Sequence, residues 1–92
     1  MPRPKLWKFI GQNPDITFYK PQGVPLKNLE VIKINHEEWE ALRLKYLKNL
    51  DQHASATKMQ TSQSTLQRIL ASAQKKLGQA VVTGKAIKII KN

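Results

Sequence analysis

The chain has 92 residues, of which 40% are apolar, so it can bury one thin core and has no room for two domains. The absence of cysteine excludes a disulfide framework, a thiolate metal site and a cysteine nucleophile. Sixteen Lys and Arg against six Asp and Glu leave a net charge of +10, a balance suited to a polyanionic partner.

Residues 1–35 carry six basic and two acidic groups, a net +4, and residues 36–51 carry three basic and four acidic, a net −1. Residues 52–92 carry seven basic groups and no acid, a net +7. An ordinary solvated surface mixes both signs, so an acid-free stretch of that length points first to nucleic acid, then to an anionic membrane surface, then to an acidic protein. No apolar run approaches the roughly 20 residues that cross a bilayer, and the start Met1-Pro2-Arg3-Pro4 is unlike a signal peptide. The expectation is a cytoplasmic protein that does not enter a membrane.

Residues 1–15 hold Pro2, Pro4, Gly11 and Pro14 among Arg3, Lys5 and Lys8, with no helical or strand period. They read as an extended basic arm, with Leu6, Trp7, Phe9 and Ile10 as anchors. Residues 16–92 read as one domain. Ile16–Tyr19 is a short strand closed by Pro21 and Gly23. Leu29–Ile34 is a second strand, with apolar residues on both parities, so its inward face stays open. Asn35 followed three residues on by Glu38 has the spacing of a capping box. The helix that follows shows an apolar stripe of Trp39, Leu42, Tyr46 and Leu47 and should end near Lys48, with Asn49 suited to a left-handed closing residue.

Asp51 can cap a short helix over 52–59, and Ser62 a longer one whose core face is Leu66, Ile69, Leu70, Ala73 and Leu77. Gly78 weakens that helix and Gly84 stops it; residues 85–90 form a last strand expected to pair with 29–34. The fold class is therefore α+β: a three-helix core ending in a helix-turn-helix, flanked by short N-terminal strands and one C-terminal strand in a small sheet.

The helix-turn-helix spans about 52–77. Counting Gln52 as position one, Ala56 falls at five, where only a small side chain fits a helix crossing. Met59, Leu66 and Ile69 fall at eight, fifteen and eighteen and fill the space between the helices. Gln60 stands at nine, where the turn wants positive φ and glycine is usual. In such a motif the second helix, here about 63–77, enters the major groove with its N-terminal residues at the base edges. Gln63, Ser64, Gln67 and Arg68 are the candidate base contacts, since Gln pairs bidentately with adenine and Arg with guanine. Lys58, Ser62, Lys75 and Lys76 are the candidate phosphate contacts, and Arg3 and Lys5 the candidates for a minor-groove arm. The bland alternative for each is a solvated helix face, a surface ammonium or a disordered tail.

These residues resemble the small prokaryotic proteins grouped as domain of unknown function 134, whose helix-turn-helix is similar to region 4 of sigma factors. The resemblance runs over nearly the whole chain. It rests on Met1–Lys5, Phe18 with Lys20-Pro21 and Gly23, Glu38 with Glu40–Leu44, and Gln52, Ala56, Met59, Ser62 and Thr65. It continues through Arg68–Leu70, Ala73 with Lys75-Lys76, Ala80, Gly84–Ala86 and Ile89. Gln60 and Asn49 depart from the family's usual glycines, Trp39 from a smaller apolar residue, and His53 and Ala54 from acids. The resemblance implies DNA binding, and the loss of acids at His53 and Ala54 makes this member more basic.

His36 and His53 match no metal-ligand spacing, and Glu37, Glu38 and Glu40 suit a helix N-terminus without a metal. No phosphate loop, nucleophile elbow or carboxylate pair stands out, so no enzyme, catalytic residue, metal or cofactor is expected. The expected function is duplex DNA binding in transcriptional regulation, with homodimerisation through the last strand or through Trp7 and Phe9. The rivals are a protein-interaction module that contacts RNA polymerase or another transcription factor, and binding of structured RNA.

Overall fold

The computed structural model of the chain describes residues 14–91. The arm residues Arg3 and Lys5, and the anchors Leu6, Trp7, Phe9 and Ile10, lie outside the described residues. The fold is α+β, with three helices and a small three-stranded sheet. In chain order it runs β1 (Phe18–Tyr19), β2 (Val31–Ile34), α1 (His36–Leu42), a π turn (Arg43–Leu47), α2 (Gln52–Met59), α3 (Gln63–Thr83) and β3 (Ala86–Ile89).

The expected pairing of the last strand with the second is present, and it is parallel. β3 lies at the centre, antiparallel to β1 and parallel to β2, with Ile34 opposite Ile89. Parallel neighbours need a long crossover, and here all three helices supply it. The Ala86 N–H donates to the Glu30 carbonyl and the Ile90 N–H to that of Ile34. Backbone groups alternate along a strand, so the Lys33 carbonyl faces the opposite, unpaired edge of β2. There it accepts a 2.9 Å hydrogen bond from Lys76 Nζ on α3, which blunts that edge.

Sequence signals place the helix ends. The Glu38 N–H donates to Asn35 Oδ1 at 2.8 Å, and the Asn35 N–H donates back to Glu38 Oε1 at 2.9 Å, closing the capping box at α1. Asp51 and Ser62 accept from the Ala54 and Thr65 N–H groups at the starts of α2 and α3. Gln60 closes α2 in the left-handed region (φ 57°, ψ 47°), and Asn49 has φ 58°. Glutamine there costs roughly 1–2 kcal/mol, and asparagine, whose short polar side chain bonds locally, less. Gly84, at φ 69°, ends α3 without that cost.

The core is built from Ile34 and Ile89 of the sheet, Ala41 of α1, Leu44, Ala56 of α2, and Leu66, Ala73 and Ala80 of α3. Ala41, Ala56 and Leu66 form its centre, with Met59, Ile69 and Leu70 packed around them. Small residues at the crossings let the three helices approach closely. β2 turns Ile34 inward, while Val31 and Lys33 are exposed, which settles the face left open by its sequence.

One expectation is corrected. The stripe Trp39, Leu42, Tyr46, Leu47 is not the core face of the first helix: Tyr46 is 60% and Leu47 68% exposed, while Ala41 and Leu44 are buried. The helix has apolar residues on two sides, and only the slimmer one fits against Ala56 and Leu66. Beyond Leu42 the backbone widens, with the Lys48 N–H donating to the Arg43 carbonyl five residues back. The last helix runs unbroken through Gly78 to Thr83 and stops at Gly84, as its sequence indicates.

Candidate functional site

α3 presents two unlike flanks. On one, Ser64, Arg68, Ala71, Lys75, Gly78 and Val82 recur at helical spacing and all are exposed. Gln63, Gln67 and Gln74 border this face along one edge, also exposed. The four predicted base contacts, Gln63, Ser64, Gln67 and Arg68, therefore share one accessible surface at the start of α3. Among the described residues, Lys58, Arg68 and Lys75 make no ion pair, so their charges are unneutralised. Ala71 belongs to this face although the sequence reasoning passed over it; its spacing from Gln67, Arg68 and Lys75 was the available signal.

Individual side chains differ in readiness. Gln63 Nε2 lies 3.1 Å from His53 Nδ1, which ties the edge of α3 to the first turn of α2. The Ser62 hydroxyl accepts from the Thr65 N–H and donates to Thr65 Oγ1 at 2.9 Å, so its first role is the cap. Lys58 is exposed in the last turn of α2. Gln74 Nε2 donates to the Tyr46 hydroxyl at 2.8 Å, which brings the π turn alongside α3.

The other flank is closed. Lys76 does not stand beside Lys75 as a second surface cation: its ammonium lies 2.8 Å from Glu38 Oε1 and also bonds the Lys33 carbonyl. Ser72 Oγ donates to Glu38 Oε2. Glu38, 4% exposed, thus receives Lys76, Ser72 and the Asn35 N–H at once. Burial pushes its carboxyl up, but those three donors outweigh burial and hold it below the ordinary value of 4.5. Glu40 binds Arg43 bidentately at 3.0 and 2.8 Å, and this contact raises the arginine's affinity for its proton. Glu38 and Glu40 are thereby committed to α1 and its supports and Asp51 to the cap of α2, and among the described residues Lys58, Arg68 and Lys75 are left without an acidic counterpart.

Among the described residues no group of three or more His, Asp or Glu is placed to hold a metal ion. The ring nitrogens of His36 are buried without a hydrogen-bond partner, and the ring leans on Trp39 at 5.8 Å. No helix among the described residues is long and apolar enough to cross a membrane.

By fold and surface, this is a small basic α+β protein whose longest helix carries an acid-free exposed face. The chain belongs to the family described as Protein of unknown function DUF134, whose model matches residues 1–92. It is 44% identical over 89 residues to a UPF0251 protein of Caldanaerobacter subterraneus subsp. tengcongensis, an alignment covering 97% of this chain and 75% of that one. A UPF0251 protein of Desulforudis audaxviator is 46% identical, with 97% and 58% covered. One from Dehalococcoides mccartyi (strain BAV1) is 45% identical, with 97% and 76% covered. No solved structure matches the chain significantly.

Proposed function

We propose that the chain binds duplex DNA with α3 in the major groove and acts as a transcriptional regulator. In this reading α2, the turn at 60–62 and α3 are a helix-turn-helix of the sigma region 4 type. The observation that supports it most is the exposed face of α3, where Gln63, Ser64, Gln67 and Arg68 lie together between unpaired Lys58 and Lys75. Gln and Arg discriminate bases at roughly 1–3 kcal/mol per good bidentate pair, and the lysines supply the salt-dependent part of affinity. Lys76 drops out of the phosphate set because Glu38 holds it.

A second reading, a protein-interaction module that contacts RNA polymerase or another transcription factor, is favoured by one observation. Trp39, Leu42, Tyr46 and Leu47 line an open groove with Pro14, flanked by Asp15 and Arg43. The test is titration of a labelled random-sequence duplex at two salt concentrations, with a matched RNA duplex alongside. Submicromolar binding to DNA with steep salt dependence supports the first reading, and Arg68→Ala should then relax sequence preference. No binding at about 50 mM salt from a protein of this charge favours the second.

A further inference from the structure

The sequence assigns Tyr46 to a core stripe and Lys45 to nothing, yet the π turn puts both beside α3. Gln74 sits on the same edge of α3 as Gln63 and Gln67, and it donates to the Tyr46 hydroxyl at 2.8 Å. The hydroxyl therefore stands at the rim of the exposed face and not beneath it. A hydroxyl that accepts one hydrogen bond keeps its own proton to donate, and Tyr46 is largely exposed. Lys45 Nζ lies 5.7 Å from the centre of the Tyr46 ring, and among the described residues it forms no ion pair. The adjacent acids are engaged: Glu40 holds Arg43, and Asp51 caps α2.

We propose that the π turn is a second anion-contacting element, in which the Tyr46 hydroxyl and the Lys45 ammonium bind the phosphodiester backbone of the duplex that α3 reads. The inference rests on the DNA-binding reading above. The geometric reason is width. A helix with its side chains is about 10–12 Å across and the major groove about 12 Å wide. Groups at the rim of a docked helix therefore meet the groove wall, and the wall is phosphate. With Arg68 at the bases, Lys75 serves one wall, and Tyr46 and Lys45 serve the other. Local helix widening of this kind recurs at functional sites; here it rotates Tyr46 away from the core and onto Gln74.

The experiment compares wild type with Tyr46→Phe, Lys45→Gln and Arg68→Ala in duplex titrations across a salt series. Both rim side chains are exposed, so both variants should fold as wild type, which circular dichroism checks. Lys45→Gln is expected to reduce the slope of log affinity against log salt by about 0.9. Tyr46→Phe is expected to weaken binding to every sequence about ten- to hundredfold, the worth of one hydrogen bond to a charged group, with sequence preference unchanged. If both variants bind as wild type does while Arg68→Ala still relaxes preference, α3 docks as proposed and the π turn is not part of the interface. If wild type binds no duplex, the parent reading and this inference fall together.

Discussion

Lys75 and Lys76 are neighbours on one helix, with the same charge and the same side-chain length, and the fold puts them to opposite uses. Lys75 projects from the open flank of α3 and meets no acid among the described residues. Lys76 closes the other flank, bridging the buried Glu38 carboxylate and the unpaired edge of β2. The 100° between successive helical residues is enough to move a lysine from open surface to scaffold. Charge counted along a sequence therefore overstates what a partner can meet.

The sharpest way to break this contrast is at Glu38. Glu38→Ala leaves Lys76 and Ser72 without their acceptor and opens the capping box of α1. Removing one member of a buried pair costs about 3–5 kcal/mol; Lys76 is one-third exposed, so about 2–3 kcal/mol is expected in urea unfolding. A loss under about 1 kcal/mol would erase the distinction between the flanks.

The same carboxylate sets an acid response. Its folded value lies below 4.5, so its contribution is complete above that pH and is lost as pH falls through the lower folded value. Glu38→Gln should remove this part of the acid-induced drop, read as a flatter denaturation midpoint between pH 5 and pH 3.

Two smaller changes act on the backbone. Gln60→Gly relieves the left-handed residue between α2 and α3, and Gly78→Ala fills open space in the middle of α3. Each should stabilise by about 0.5–1 kcal/mol, visible as a rise of a few degrees in Tm. Smallest in stability, Lys75→Ala should stay within about 0.5 kcal/mol of wild type while lowering the salt slope of duplex binding by about 0.9. Unchanged salt dependence would remove Lys75 from the interface.

Much of the fold was legible because its signals are local. Asn35 with Glu38, Asp51, Ser62, Asn49 and Gly84 mark helix ends through bonds that reach only a few residues, and all of them hold in the structure. The exposed set Gln63, Ser64, Gln67 and Arg68 was legible for the same reason: helical spacing separates it from Leu66 and Ile69.

What the sequence could not decide was which of two plausible faces wins. In α1 the bulkier stripe of Trp39, Leu42, Tyr46 and Leu47 has the greater apolar area, and burial alone favours it. Ala41 and Leu44 took the core because close helix crossing at Ala56 and Leu66 rewards fit over area. The assignment of Lys76 to Glu38, 38 residues away, likewise has no local signature.

By itself, then, the sequence determined the order of elements, the helix ends, the pairing of the last strand with the second, and an acid-free C-terminal half. Those follow from hydrogen bonds and periodicities that span a few residues. Only the tertiary structure decided that β2 and β3 run parallel, that the π turn carries Tyr46 to Gln74, and that one lysine of an adjacent pair is tied to the buried Glu38. Each of these depends on contacts between segments far apart in the chain, where packing volume and the cost of an unpaired buried charge outweigh local preference.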